Sequence, residues 1–129
     1  MRNRIRNRII PEIETFNPGF TTTALRFAEY AAELDAHLET EVTEYLESEE
    51  EPETLEIARF ATLSPFLKKD ILSRLYVRKN SSGIGLSEGM VAEMLRFCSM
   101  KYGGKAKVFG KLELTRKKGK ISYRKNREA

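Results

Sequence analysis

The apolar residues of this chain change their spacing once, and that change sets the fold class. Phe27, Ala31, Leu34, Leu38, Val42 and Tyr45 step by four, three, four, four and three. Such steps lay one apolar stripe along about seven turns of α-helix. Beyond Gly104 the spacing is two: Ala106/Val108, Leu112/Leu114 and Ile121/Tyr123 alternate with polar residues, as in a strand with one covered face. Turns are expected near Gly110 and at Lys117-Lys118-Gly119. The chain therefore reads as mainly α (α+β), with a helical domain of four to five helices followed by a small antiparallel β-element, a hairpin, at the C-terminus.

Five segments carry the helical pattern or its ambiguity. In residues 3–16, Ile5, Ile9, Ile13 and Phe16 form a narrow stripe. Pro11 predicts a kink or restart there, and Asn17-Pro18-Gly19 is a stop. The second helix, residues 22–48, carries the long stripe, with Glu29, Glu33, Glu44 and Glu47 opposite. It ends in ESEEEPE, expected to be a solvated acidic loop, with cation binding as the competing reading. LEIARFATL, residues 55–63, suits either a short strand or a helical turn. In SPFLKKDILSRLYVRK, Ser64 is placed to cap and Pro65 to open a helix that buries Leu67, Ile71, Leu72 and Leu75. After the NSSGIG loop, Ser87 caps a further helix with Leu86 as its staple and Val91, Met94, Leu95 and Cys98 inward; Tyr102-Gly103-Gly104 ends it.

Charge is segregated along the sequence. Residues 12–59 hold fourteen acids and two bases, residues 101–129 eleven bases and two acids, and residues 1–8 four bases and no acid. Basic ends around an acidic middle point to a polyanion partner; the competing reading is that the two classes pair across the fold. Cys98 is the only cysteine and His37 the only histidine, so a Cys/His zinc site and an internal disulfide are both excluded. No run of about 18 apolar residues offers a membrane span, and the charged start lacks the apolar core of a signal peptide. The expected compartment is the cytoplasm.

Catalytic signatures are sparse. The GxxxxGK[ST], GxSxG and HExxH patterns are absent from the chain. Cys98 falls at a core spacing and reads as packing, because buried structural thiols are inert. His37 reads as a surface or boundary residue. The basic residues remain. Arg2, Arg4, Arg6 and Arg8 open a helix whose own dipole is already positive there. On an ideal wheel Arg2 and Arg6 border the isoleucine stripe, and Arg4 and Arg8 face away with Asn7. Guanidinium groups so placed suit phosphate or carboxylate; salt bridges from Arg2 and Arg6 to the second helix are the alternative. The C-terminal cluster, including Lys117, Lys118, Lys120, Arg124 and Lys125, is interleaved with Tyr102, Phe109 and Tyr123. With Lys68 and Lys69 it forms the candidate RNA-contacting set. Lysine protection of strand edges is the competing account.

Taken in order, three segments resemble the bacterial tRNA(Ile)-lysidine synthetases. RNRIRNRIIPEIETFNPGF is similar to the family's RNxIR-x-x-x-x-P-x-L…NP segment, with Arg2, Asn3, Ile5, Arg6, Pro11 and Asn17-Pro18 in place. LSPFLKKDILSRLYVRK…GLSEGMVAEMLRF resembles its helical pair. GGKAKVFGKLELTRKKGKISYRK resembles its ending through Gly104-Lys105, Val108, Gly110, Leu112 and Gly119-Lys120-Ile121. Two positions depart: Phe109 or its neighbour replaces a usual proline, and Lys118 stands where tyrosine is common. The family joins lysine to the wobble cytidine of an isoleucine tRNA using ATP, with Mg, on an SGGxDS loop in a Rossmann-like domain, and this chain has neither.

The resemblance implies two parts. Residues 1–18 would be the end of the missing ATP-binding domain, and residues 19–129 a tRNA-binding domain that grips the anticodon arm. It implies no catalysis by this chain alone and no cofactor bound by it alone. Asn3 and Arg6 would support the cleft, Arg6 reaching the nucleotide or cytidine and Asn3 orienting it, while Arg2, Arg4 and Arg8 serve the RNA. The implied partners are tRNA and the missing domain, with no membrane; Met1 before the first motif fits a fragment, a split-gene product or a stand-alone relative. A first helix without its partner domain invites a homodimer. The rival reading is a non-catalytic interaction or scaffold domain that uses the acidic helix; a self-contained enzyme needs a site that the motifs do not supply.

Overall fold

The computed structural model describes residues 1–100 and 105–127; Tyr102, Gly103 and Gly104 lie outside these, as does the helix stop expected there. Five helices precede or interleave with a four-stranded antiparallel sheet, so the chain is mainly α with a C-terminal β-element. Helix α1 covers residues 2–16, α2 Phe20–Glu47, α3 Ile57–Ala61, α4 Pro65–Asn80 and α5 Glu88–Ser99. The strands are β1 Thr54–Glu56, β2 Ala106–Phe109, β3 Leu112–Lys117 and β4 Lys120–Lys125, in the order β1-β4-β3-β2. The chain divides into two compact units, Met1–Glu41 and Val42–Ala129.

In the first unit regular α-helical winding restarts at Pro11, as expected: it resumes at Ile10 with Pro11 in the first turn. The turn just before it, Ile5–Ile9, widens into a π turn in which the Ile10 N–H donates to the Ile5 carbonyl. Proline cannot donate to the carbonyl four residues back, and its ring crowds that carbonyl, here that of Asn7; an expanded turn relieves the crowding. The π turn also shifts the phase of the isoleucine stripe. Ile5, Ile9 and Phe16 are 41%, 46% and 82% exposed, whereas Ile10 and Ile13 are half-buried. The expected stripe thus holds only at Ile13.

At the Asn17-Pro18-Gly19 break the Glu14 carboxylate accepts the backbone N–H groups of Gly19 at 3.0 Å and Thr21 at 2.8 Å. It thereby caps the first turn of α2. The Thr21 side chain and then its N–H hold this carboxyl below the usual range. The long stripe of α2 is exposed at Phe27 and Leu34, half-buried at Leu38, and buried at Val42.

The second unit has a continuous core. Val42 and Leu46 from the end of α2 join Leu55, Phe60, Leu72, Leu75, Met94 and Phe97, and the inner face of the sheet supplies Phe109, Leu112, Leu114, Ile121 and Tyr123. Each fully buried leucine contributes about 1.5–3 kcal/mol through its removal from water. LEIARFATL turns out to be both of its alternatives in succession. Thr54–Glu56 pairs with β4, Leu55 opposite Ile121, and Ile57 opens α3. Both expected caps are present: Ser64 accepts the Leu67 N–H and Ser87 the Met90 N–H.

The β2 phase differs from expectation. Ala106 and Val108 are exposed and Phe109 is buried. A two-residue turn, Gly110-Lys111, places Phe109 opposite Leu112, so Phe109 and Lys107 share the face of Leu112 and Leu114. Lys107 occupies that inner face at the sheet's edge, 3.2 Å from Glu93 of α5. The second turn, Lys118-Gly119, has positive φ at both residues, 51° and 76°, as a type I′ hairpin requires.

One side chain knits the turns to α4. Asn80 accepts the Lys111 N–H at 2.8 Å and donates to the Tyr76 carbonyl at 2.9 Å. A Cβ at Gly110 would come within 2.6 Å of the Asn80 Oδ1. Glycine suits the position because its φ of 59° strains a side chain and this contact leaves no room for one.

Candidate nucleic-acid interface

An open groove of about 940 Å³ crosses the second unit between α3, α5 and the β3–β4 turn. Its floor is apolar. Ile57, Phe60 and Ala61 come from one side of α3 at spacings of three and four. Ala92, Leu95 and Ser99 come from one side of α5, and Met100 follows. Five basic residues line it: Lys68 from the first turn of α4, Arg96 from α5, Arg116 from β3, and Lys117 and Lys118 at the hairpin. No acidic residue is among the described residues that line it.

The cations are positioned by the fold. The Arg116 guanidinium lies 4.8 Å from the centroid of the Phe97 ring and donates to the Met100 carbonyl. It shares the core face of β3 with Leu114, which brings it under the groove rather than onto the outer surface. The register puts Lys117 directly opposite Lys120, an unfavourable like-charge pair. That repulsion is offset by acids. Lys120 also stands opposite Glu56 on β1 and its ammonium lies 2.8 Å from Glu51. The hydrogen bond to Glu51, with the Glu50 and Glu56 charges, raises the Lys120 pKa above its ordinary value.

The acidic loop after α2 is therefore not merely solvated. Glu49 lies 3.2 Å from Arg59, with its own side chain only 5% exposed. Glu51 meets Lys120, and Glu53 lies 2.7 Å from Lys79. Arg59 also stacks 4.2 Å over the Tyr45 ring. The Glu49 Oε1 and the Tyr45 hydroxyl are buried without a hydrogen bond; the ion pair at Glu49 is close but not aligned as one. Pairing across the fold thus accounts for part of the charge segregation.

The candidate residues separate into three places. Lys68, Lys117 and Lys118 meet in the groove, with Lys120 beside the same turn; Lys69 is exposed on α4 outside its lining. Arg124 and Lys125 lie at the far end of β4, roughly 17 Å from Lys120 along the strand. There they border a polar hollow with Glu113 and Arg127, and Arg124 lies 2.7 Å from Glu113. Arg2, Asn3, Arg4, Arg6 and Arg8 are all exposed in the first unit, where among the described residues neither Arg2 nor Arg6 pairs with an acid of α2. Arg96 was not foreseen. Its signal was the spacing Ala92, Leu95, Arg96, Ser99, a second helical face beside the buried one.

Cys98 lies beneath the groove, and burial pushes its thiol up to about 12, so it is neither a nucleophile nor a thiolate ligand at neutral pH. Among the described residues no three His, Cys, Asp or Glu side chains are grouped to hold a metal ion. His37 is exposed, 3.2 Å from Glu41. No glycine-rich phosphate loop adjoins Asn3 or Arg6 in the sequence. No helix among them is long and apolar enough to cross a membrane. No protein-family model matches the chain, and no curated protein sequence matches it.

Proposed function

We propose that this chain is the RNA-binding portion of a tRNA(Ile)-lysidine synthetase, gripping the isoleucine tRNA while a separate ATP-binding domain performs the adenylation. The single observation that carries the RNA reading is the groove: five basic residues and no acid around an apolar floor. The three ordered motifs supply the family. The chain alone binds and does not ligate.

The test is binding of the full chain to an isoleucine tRNA across a salt series. If the five groove cations each neutralise one phosphate, the log–log slope is roughly −3.5 for single-stranded contacts and −4.5 for duplex contacts. Charge reversal at Lys117 and Lys118 then weakens binding and flattens the slope by about two contacts' worth. Absence of tRNA binding at low salt would sink the proposal.

A second reading, a protein-interaction or scaffold domain, is favoured by a different observation. Leu25, Phe27, Tyr30 and Leu34 are exposed on α2 among glutamates. On that reading, charge reversal at Lys117, Lys118 and Lys120 leaves the activity unchanged, and α2 carries the interface. Self-association into a homodimer through the same side chains belongs with it, and light scattering across a concentration series reads it directly.

A further inference from the structure

We propose that the groove holds an unpaired stretch of RNA, with a base laid against the apolar floor and its flanking phosphates on the basic rim. This rests on the RNA-binding reading and goes beyond it, because phosphate contact alone needs no apolar floor.

A duplex presents phosphates outward and hides its base faces, so a surface built for it is basic and polar throughout. An unpaired nucleotide is amphiphilic at short range. It offers a flat apolar face that stacks on apolar or guanidinium surfaces, beside a charge that wants Lys or Arg. The groove repeats that arrangement. Ala61, Leu95 and Met100 form its floor, and Arg116, its guanidinium carbon 4.8 Å from the Phe97 ring centroid, brings a planar cation to the same groove. Lys68 and Arg96 stand on the helices, and Lys117 and Lys118 on the hairpin. The hairpin apex is open: a Cβ added at Gly119 would meet nothing within 4 Å. A volume near 940 Å³ is in the range of sites that take compact ligands, roughly 300–1,000 Å³. A run of acidic residues satisfies the charges but its side chains offer no flat apolar face for the floor, which is why RNA is favoured.

The experiment measures binding of the full chain to three probes at one salt concentration: an unstructured oligouridylate, a fully paired RNA duplex of equal length, and polyglutamate of equal charge. The oligouridylate is expected to bind about tenfold tighter than either of the others, the scale of one stacked base. Ala61→Lys then separates base contact from charge. It adds a cation that has no plane to stack on and fills the floor, so oligouridylate affinity falls several-fold while duplex affinity holds or rises. Ala92→Lys, on the facing helix, repeats the test should the first variant lose its cooperative melt. Equal binding of duplex and oligouridylate, or a rise in oligouridylate affinity on Ala61→Lys, overturns the proposal and leaves tRNA binding standing. Polyglutamate binding as tightly as the oligouridylate overturns it in favour of an acidic peptide. Loss of every RNA interaction takes down both readings.

Discussion

The Arg116 guanidinium and the Phe97 ring are stacked 4.8 Å apart at the edge of the core. The pair joins β3 to α5, so one contact serves both fold and groove. Cation–π contacts of this kind are worth about 0.5–2 kcal/mol. Arg116→Ala is expected to lower stability by that amount in a denaturant titration and to weaken RNA binding. Arg116→Lys keeps the charge without the plane. It should recover the salt slope of the parent but not its preference for unpaired RNA.

Asn80 and Gly110 are expected to behave as a coupled pair. Gly110→Ala forces a Cβ toward Asn80 Oδ1 and strains a positive φ, at a cost of about 1–3 kcal/mol. Asn80→Ala removes the amide that holds Lys111 and Tyr76, at about 0.5–1.5 kcal/mol. In the double variant the clash is gone, so the combined loss should be smaller than the sum. Additive losses in urea melts would mean that the contact is not what constrains Gly110.

Cys98 makes stability depend on alkali. Its thiol titrates near 12 in the fold against an ordinary value of 9.0. The folded value is the higher one, so this contribution is intact below pH 9 and is lost as pH rises from 9 toward 12. The slope from one proton is about 1.4 kcal/mol per pH unit. Cys98→Ala removes that slope. Thermal melts at pH 8, 9 and 10 read it, and a thiol reagent at pH 8 should label the native chain far more slowly than the unfolded one.

Lys107 guards an edge. It lies on the core face of β2, one of the two edge strands, paired with Glu93, and an inward charge at an edge discourages pairing with another chain. Lys107→Val leaves Ala106-Val-Val108-Phe109 at that edge. Self-association is expected to rise, measured by light scattering against concentration, with little change in the melting temperature.

What could be read before folding was governed by how local each signal is. Ser64 and Ser87 caps depend on neighbours three residues away, and both read correctly. The strand of residues 54–56 was ambiguous because its partner, β4, lies more than sixty residues downstream, and three residues are too few to show a period. Ala106 and Val108 misled because alternation gives two possible phases, and only the two-residue turn at Gly110 chooses between them. In the candidate site, Lys117 and Lys118 were visible as a basic turn. Arg96 was hidden because its face joins the groove only when α3 and the hairpin come to stand beside it.

The π turn at Ile5–Ile9 is a helix with one residue more than its path requires. Removing any single residue there would restore uniform α-helical winding and rotate residues 2–4 by about 100° relative to Ile13. The direction in which Arg2 and Asn3 point is therefore encoded in chain length, not in the identity of any side chain. Deleting Ile5 would re-aim Arg2, Asn3 and Arg4 while leaving each of them unchanged.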